Sequence, residues 1–235
     1  MFTKSALFYD ALYGFKDYAA TSKKLHVLLQ QLNPDAQSLL DVGCGTGKHL
    51  EYLRGYYRVE GLDLNPDLLE VARGRCPEVP LHQANMVDFR LDRDFDIITC
   101  LFSSIGYVKT IENLEQAVSN MARHLRPGGV VVVEPWFSPE SYWTGTITAN
   151  FVDEPELKIA WMYTSEVEGR VSVLDINYLV GTPQGVDHFD ERHEIGLFTH
   201  EEYLEAFRKA GLKTHYDPKG LFGRGMYLGL DSGSK

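Results

Sequence analysis

The sequence predicts an α/β fold, a doubly wound and mostly parallel seven-stranded sheet with an inserted antiparallel β platform. Two observations predict the parallel part: apolar runs alternate with helical patterns, and a glycine-rich turn follows the first run. A third predicts the platform, because residues 147–197 alternate apolar and polar side chains with almost no helical period. We therefore assign residues 1–135 and 198–235 to the parallel domain and residues 136–197 to the platform.

The amino-terminal part predicts helix over residues 5–32, in two pieces. The second piece carries leucines at helical spacing, and an aromatic cluster precedes it. For Phe8 and Phe15 we favour core packing. Tyr9 and Tyr18 fit equally well as packing or as a lid over a ligand, because a buried phenol needs a polar partner.

The rest of the first domain alternates strands and helices. The predicted strands are 38–42, 58–64, 79–82, 95–101 and 130–133, and the predicted helices are 46–56, one beginning at Asn65-Pro66-Asp67, and 113–125. The run 95–101 is apolar and β-branched, which predicts a buried central strand. The segment Arg126-Pro127-Gly128-Gly129 predicts a turn.

The platform shows three alternating runs, at 158–166, 171–180 and 188–197, with turn signals at Glu168-Gly169 and Thr182-Pro183. A helix from Thr199 to Ala210 then resumes the parallel architecture, and strands follow near 212–216 and 225–230. An exposed edge of the platform is a candidate for pairing two chains as a homodimer.

Composition excludes some functions. A net charge of −10 argues against nucleic acid as the main partner, because phosphate binding needs a basic face. Cys44, Cys76 and Cys100 have neither zinc nor disulfide spacing, which suits a reducing cytoplasm. We expect no metal, no signal peptide and no membrane span, because no ligand cluster converges and no apolar run is long enough.

The turn from Asp41 to Gly47 organises the chain. Its spacing, G-x-G-x-G, matches neither the dinucleotide fingerprint nor the phosphate loop. Glycines here allow a sharp turn and a close approach of backbone N–H groups to a ligand. About 20 residues later a second strand ends at Asp63, where a carboxylate can accept hydrogen bonds from both hydroxyls of a ribose.

These residues resemble motifs I and II of the class I S-adenosylmethionine-dependent methyltransferases, which have a Rossmann-like fold. Another doubly wound nucleotide binder is the alternative. The resemblance implies S-adenosylmethionine as cofactor, with its methionine portion along Gly43–Thr46, its ribose on Asp63 and its adenine beside Leu64, Asn85 and Met86. For Leu64 and Met86 core packing is an equal alternative, and for Asp63 the alternative is a solvated strand end.

The complete set of candidate cofactor-binding residues combines these positions with the strand ends and the lid tyrosines. It consists of Tyr9, Tyr18, Asp41, Gly43, Cys44, Gly45, Thr46, Asp63, Leu64, Asn85, Met86, Leu101 and Phe102.

Five segments point to a more specific family within these methyltransferases: Lys16-Asp17-Tyr18, Cys44–Gly47, Phe102-Ser103-Ser104-Ile105-Gly106-Tyr107, Val131-Val132-Val133-Glu134-Pro135-Trp136 and Gly223-Arg224-Gly225. In this order they resemble bacterial nucleotide-sugar N-methyltransferases, such as those that dimethylate the amino sugar of desosamine. The chain departs from that pattern by a shorter stretch between Tyr9 and Lys16 and by Phe137-Ser138. Both changes border the acceptor pocket.

This resemblance implies roles for the acceptor side. Tyr107 and Tyr9 would face the amine as the catalytic pair, and Trp136 would wall the sugar pocket. Arg224 would reach a diphosphate, with a surface arginine as the alternative. Tyr178 is a further candidate for nucleotide contact, although a strand tyrosine more often packs. A phenol with an ordinary pKa near 10 is a poor base, so Tyr107 would orient the amine and water could take the proton.

We therefore expect an S-adenosylmethionine-dependent methyltransferase that acts on the amino group of a nucleotide-linked deoxysugar, a small-molecule acceptor. Methyl transfer to a different small amine or hydroxyl is the first alternative, and a noncatalytic binding module is the second. His49 and His193 could each be catalytic, but His49, on the first helix, is expected to pack or to meet solvent, and His193 alternates on a strand with no Cys or His at ligand spacing. A nucleic-acid substrate is disfavoured by charge and by Asn85-Met86-Val87-Asp88, which lacks the motif that grips a flipped base.

Overall fold

The structure, a computed structural model, describes residues 2–231. Its strands are β1 (Ser38–Val42), β2 (Arg58–Asp63), β3 (Leu81–Gln83), β4 (Phe95–Cys100), β5 (Leu125–Val133), β6 (Ile147–Glu154), β7 (Leu157–Glu168), β8 (Val171–Thr182), β9 (Gly185–Gly196), β10 (Leu212–Asp217) and β11 (Met226–Asp231). Its helices are α1 (Tyr9–Leu12), α2 (Tyr18–Leu32), α3 (Lys48–Leu53), α4 (Pro66–Arg75), α5 (Ile111–Arg123) and α6 (His200–Lys209), with 3-10 segments at Lys4–Phe8 and Ser104–Val108.

The strands form two sheets. The first has seven strands in the order β10-β11-β5-β4-β1-β2-β3, and β11 runs in the direction opposite to the other six. The second contains β6, β7, β8 and β9 as an antiparallel meander. The predicted fold class is confirmed. The order in which successive strands join the sheet changes direction between β1 and β4, which lie side by side and parallel. Open α/β sheets bind ligands at such a point.

The middle strands of the large sheet are buried on both faces, as their near-continuous apolar sequence requires. Alternate residues pack into different clusters: Leu40 and Ile98 belong to one face, and Leu39 and Ile97 to the other, all of them fully buried.

Helix starts follow the predicted signals. The Asn65 side chain accepts hydrogen bonds from two backbone N–H groups of α4, with Pro66 at the first helical position. Thr199 and Glu202 form a reciprocal capping box at α6. These caps fix the helices relative to the strand ends that precede them.

Three details differ from the sequence-based expectations. The predicted turn at 126–129 lies inside β5, where Leu125 pairs with Phe95 and Val130 with Ile97, so the intervening residues bulge out of the ladder. The helix predicted from residue 46 begins at Lys48, because Gly47 adopts a left-handed φ of 74°. An additional strand, β6, precedes the three predicted platform strands.

The platform has its own apolar core on the side that faces the amino-terminal segment. Leu12 of α1 packs there with Trp161, Leu174 and Ile195. Within residues 2–231 no helix combines the length and the apolarity that crossing a lipid bilayer would need.

Candidate active site

Two adjoining clefts open at the carboxyl ends of β1, β2, β3 and β4. The glycine-side cleft has a volume of about 390 Å³ and runs past Gly43, Asp63 and Asn85. The platform-side cleft has a volume of about 520 Å³ and lies between the loop after β4 and the platform. Four side chains line both clefts and form a shared wall, namely Phe2, Tyr9, Ser104 and Tyr107.

The glycine turn is shaped by backbone hydrogen bonds. The N–H groups of Gly43 and Cys44 both donate to the Leu62 carbonyl, at 2.7 and 3.0 Å, which folds the turn against the end of β2. Gly43 has a φ of 73°, and a Cβ added there would lie 2.6 Å from the Cβ of Ser104. No other residue type fits at this position, so the turn leaves a thin backbone surface facing the cleft.

Asp63 lies at the junction between the turn and the glycine-side cleft. Its Oδ2 accepts a hydrogen bond from Gly45 N at 2.8 Å, and its Oδ1 accepts one from Asn65 N at 2.9 Å. Burial raises the pKa of Asp63, and these backbone donors oppose that shift. Each carboxylate oxygen keeps a further lone pair for a hydroxyl donor in the cleft.

Asp41 is almost fully buried beneath the turn, at 2% exposure. It accepts a hydrogen bond from Thr99 Oγ1 at 2.7 Å, yet burial raises the pKa of Asp41 from 3.8 to about 7. It lines a small pocket beside the turn together with Tyr18 and His49. A cationic ligand group in that pocket would restore the charged form of Asp41.

The raised pKa of Asp41 predicts how stability depends on pH. Because the folded state favours the protonated acid, Asp41 contributes fully to the free energy of unfolding below about pH 4. That contribution falls by up to about 4 kcal/mol as pH rises to about 7. Asp41→Asn should remove this fall. Urea unfolding of the ligand-free protein at about pH 5 and about pH 7.5 measures this difference in the free energy of unfolding. Asp217→Asn is the control, and an unchanged pH dependence in Asp41→Asn would contradict the assignment.

The far end of the glycine-side cleft is apolar and open. The side chain of Leu64 lines it and is 47% exposed, which excludes core packing for this residue. Met86 lines the same cleft and also packs against the core beneath it. Asn85 precedes it in a turn in which Asn85 Oδ1 accepts from Val87 N at 3.1 Å. Leu64 and Met86 therefore both present apolar surface to this cleft.

The small pocket beside the glycine turn collects the remaining candidate cofactor residues. Its lining includes Tyr9, Tyr18, Cys44, Gly45, Thr46, Leu101 and Phe102. His49 also lines it: its Nδ1 lies 3.0 Å from Ser22 Oγ, its Nε2 has no hydrogen-bond partner, and burial lowers the pKa of His49 to about 3. Thr46 Oγ1 donates to Asp10 at 2.8 Å, which ties the turn to α1.

The loop after β4 is held in a strained conformation. Phe102 and Ser103 have φ values of 50° and 65°, in the left-handed region that non-glycine residues avoid. Glu134, at the end of β5, accepts from Phe102 N at 2.9 Å, and Ser103 Oγ donates to Pro135 O at 2.7 Å. The Glu-Pro-Trp segment therefore sets the position of Tyr107 through this loop.

Basic and aromatic side chains line the platform-side cleft. The guanidinium of Arg224 lies 5.2 Å from the ring centroids of Phe102 and Trp136, and Trp136 Nε1 donates to Ser172 Oγ at 2.9 Å. Lys16 packs against Phe102, and its Nζ has no hydrogen-bond partner.

Charge in this cleft is unbalanced. Burial, together with nearby Arg224, lowers the pKa of Lys16 to about 6, although Glu134 opposes that shift. Arg224 forms no ion pair with any residue from 2 to 231. Glu134 is the acid that faces both basic side chains. An anion bound here would complete the pairing of Arg224 and return a proton to Lys16.

Tyr107 is connected to the platform by a polar chain. Its hydroxyl lies 2.8 Å from Nδ1 of His193, and Nε2 of His193 lies 3.6 Å from the carboxylate of Glu191. His193 is 2% exposed. Burial, with Tyr178 and Asp63 nearby, raises the pKa of Tyr107. The phenol is therefore neutral at physiological pH.

Comparison with known proteins decides the family. A methyltransferase-domain family model matches residues 39–129. The chain is 43% identical to dTDP-3-amino-3,4,6-trideoxy-alpha-D-glucopyranose N,N-dimethyltransferase of Streptomyces venezuelae over 226 residues, which covers 94% of this chain and 95% of the relative. The chain belongs to the S-adenosylmethionine-dependent sugar N-methyltransferases.

Solved structures agree with this assignment. The fold matches the crystal structure of Streptomyces venezuelae DesVI with a TM-score of 0.92 and 42% identity, covering 97% of this chain and 99% of that one. It matches S-adenosylmethionine-bound CalS10, an amino pentose methyltransferase from Micromonospora echinaspora, with a TM-score of 0.87 and 36% identity, covering 98% of each chain. The predicted family, enzyme class and cofactor are confirmed.

The clefts of this methyltransferase fit its cofactor. The orphaned Nε2 of His49 and the buried Asp41 lie in the small pocket, where the zwitterionic end of a methionine would supply charged partners. The free lone pairs of Asp63 face the larger cleft, where a ribose would supply hydroxyl donors. No group of metal ligands occurs among residues 2–231.

The structure does not bring Tyr178 to either cleft. Its ring is 2% exposed and stacks between Trp161 and Phe189 in the platform core, so packing explains it. Sequence reasoning assigned no site role to Phe2, Lys16, Ser104, His193 or Glu191, although Lys16 and Ser104 lie in segments that carry the resemblance. The platform strand of His193 and Glu191 shows ordinary alternation, and only the fold places these two beside Tyr107.

Proposed function

We propose that this methyltransferase transfers methyl groups to the amino nitrogen of a deoxysugar linked to a nucleoside diphosphate. The observation that carries the proposal is the pair of clefts joined by a shared wall, one with the donor features and the other with unpaired basic groups beside aromatic rings. The relatives of similar length act, by their names, on dTDP-linked amino sugars.

The donor occupies the glycine-side cleft and the small pocket in this proposal. Asp63 accepts the ribose hydroxyls, Leu64 and Met86 enclose the adenine, and Asn85 contacts its edge. Gly43 to Thr46 give the methionine portion a close backbone surface, while Asp41 lies opposite its ammonium group. Tyr18, Leu101 and Phe102 close the small pocket.

The acceptor occupies the platform-side cleft. Arg224 and Lys16 pair with the diphosphate, because a guanidinium fork matches its oxygens and Arg224 has no other ion-pair partner among the described residues. Trp136 supports the sugar or base ring. The unreacted amine then lies at the shared wall, between Tyr9 and Tyr107.

The chain acts mainly by alignment. When bound, S-adenosylmethionine supplies an electrophilic methyl group. The shared wall excludes water from the space between the clefts. Its Ser104, Tyr9 and Tyr107 side chains hold the amine in line with the methyl group. Burial keeps the Tyr9 and Tyr107 hydroxyls protonated, so their oxygens accept an amine N–H and leave its lone pair free.

The two sheets divide these tasks, in our proposal. Residues 1–135 and 198–235 hold the donor, and residues 136–197 complete the acceptor cleft. The edge strand β6 remains a candidate surface for a homodimer, since Ile147 and Phe151 are each 73% exposed on it. The three cysteines are free and buried, which suits a reducing cytoplasm.

A product screen tests the function. The enzyme is incubated with S-adenosylmethionine and a panel of dTDP-amino sugars, and mass spectrometry detects products that carry one or two added methyl groups. We expect methylation of at least one dTDP-linked sugar and little methylation of the same sugar without the nucleotide. Turnover of unrelated amines alone would contradict the proposal and favour another small acceptor.

A further inference from the structure

We propose that His193, acting through Tyr107, takes up the proton that the acceptor amine releases, so that His193 is a positioning and proton-accepting residue of the reaction. The inference rests on the proposed function. It follows from the chain of contacts that leads from the shared wall into the platform: Tyr107 Oη to His193 Nδ1 at 2.8 Å, and His193 Nε2 to Glu191 at 3.6 Å.

The surroundings of His193 favour one tautomer. The Nε2 atom makes no hydrogen bond but lies 3.6 Å from the Glu191 carboxylate, whose charge favours the ring proton there, so we assign Nδ1 as the acceptor for the phenol of Tyr107. Tyr107 therefore donates toward His193 and turns its lone pairs toward the clefts. This is the direction in which a proton from the amine can enter the chain.

Glu191 is a fixed negative charge behind the imidazole. Its carboxylate accepts from Thr3 N at 2.8 Å, Thr3 Oγ1 at 2.7 Å and Ser5 N at 3.0 Å, and also from Ser5 Oγ. Burial opposes ionisation, but these donors and His193 hold the pKa of Glu191 well below its usual range. A proton on His193 is therefore met by an opposite charge.

The first residues of the described chain cover this pair. The ring of Phe2 lies edge-on to His193 at 4.6 Å between centroids, and Asn65 Nδ2 donates to the Phe2 carbonyl. With Phe2 in place His193 is 2% exposed, although it lines the platform-side cleft. Its Nδ1 lies 2.8 Å from the Tyr107 hydroxyl, so Tyr107 is the route by which a proton reaches that atom.

The chemistry requires such an acceptor after each transfer. Forming the new N–C bond leaves a cationic ammonium, and a second transfer needs its lone pair back. In the proposed step the ammonium N–H breaks, the Tyr107 oxygen gains that proton, and its own proton passes to His193 Nδ1. The charge moves from the sugar nitrogen to the imidazole, beside Glu191.

The charged groups around the cleft favour this direction. The acceptor's diphosphate offsets the charges of Arg224 and Lys16 in the proposed complex, and Glu191 supplies the opposite charge beside the imidazole. The titratable groups that face the pair from other elements are Tyr107, Tyr9 and Tyr178, all with pKa values raised by burial. Burial lowers the pKa of His193 and Glu191 opposes that shift, so the ring is neutral and ready to accept at physiological pH.

The test compares wild type with His193→Gln across pH, with His26→Gln as matched control. His26 also pairs its Nδ1 with a tyrosine hydroxyl, Tyr57 at 2.9 Å, but it lies away from both clefts. At about pH 6.5 we expect His193→Gln to slow the second methyl transfer about 100-fold and to accumulate monomethylated sugar. At about pH 9, where solvent hydroxide can remove the proton, the deficit should largely disappear.

Two further readouts keep the outcome decisive. Tyr107→Phe and the double variant Tyr107→Phe/His193→Gln should be equally slow at about pH 6.5, because both break one chain. A His193→Gln deficit that is the same at every pH, or that adds to that of Tyr107→Phe, would overturn the inference and leave His193 a structural residue. Failure of the wild type to methylate any nucleotide sugar would instead overturn the proposed function.

Discussion

Asp63→Ala is expected to weaken the binding of S-adenosylhomocysteine about 100-fold, measured by calorimetry. Two hydroxyl donors to one half-buried carboxylate contribute about 3 kcal/mol together, and tenfold in affinity corresponds to about 1.4 kcal/mol. The same change also frees Gly45 N and Asn65 N, the donors that now hold the glycine turn against β2. Asp63→Asn keeps one acceptor oxygen, so its loss should be smaller.

Asp217→Ala is a closely matched control for this experiment. Asp217 also ends a strand and accepts from the N–H two residues later, Lys219 N at 2.9 Å, but it lies on β10 at the far edge of the sheet. It should bind the ligand as the wild type does. Melting temperatures of all three variants separate a fold defect from a site defect. Full affinity in Asp63→Ala would remove the ribose assignment.

Arg224→Ala should raise the KM for a nucleotide sugar about 30-fold and leave the KM for S-adenosylmethionine within about twofold. A charge-assisted contact of a guanidinium with a diphosphate contributes about 2 kcal/mol, which supports this magnitude. Arg224 borders the platform-side cleft and does not line the glycine-side cleft, so the effect should fall on the acceptor alone. Steady-state kinetics with each substrate varied in turn measures the split.

Arg224→Lys and Arg170→Ala are the comparison variants. Lysine keeps the charge but loses the planar fork, so Arg224→Lys should recover only part of the affinity. Arg170 is a platform arginine paired with Glu202 outside both clefts, and its removal should change neither KM. Equal changes in both KM values for Arg224→Ala would show that the loop shapes the whole site and makes no diphosphate contact.

The donor-side residues remain a prediction, and they could be assigned from the sequence because that side is local. Strand, glycine turn and helix lie within one short stretch, and backbone conformation requires Gly43 to be glycine. Asp63 could be placed beside the turn because parallel strand ends meet at one edge of a sheet. Leu64 was left open between packing and binding, since the sequence does not give exposure.

The acceptor side was harder to predict because its residues come from distant parts of the chain. His193 and Glu191 sit on β9, and their contact with Tyr107 depends on how the platform docks against the loop after β4. Phe2 is held at the site because Thr3 and Ser5, which follow Phe2 in the chain, donate hydrogen bonds to Glu191. Tyr178 was assigned to the nucleotide by resemblance, but its strand alternation directs it into the platform core.

The shared wall has a consequence for how such enzymes diversify. Beyond the four common side chains, the platform-side cleft is built from the platform strands, residues 13–17, the loop after β4 and the segment around Arg224, whereas the glycine-side cleft is built from the strand ends of the large sheet and residues 108–113. We expect substitutions in the former to change the choice of acceptor while donor affinity stays intact. A library limited to those segments is therefore the starting point for altering the acceptor.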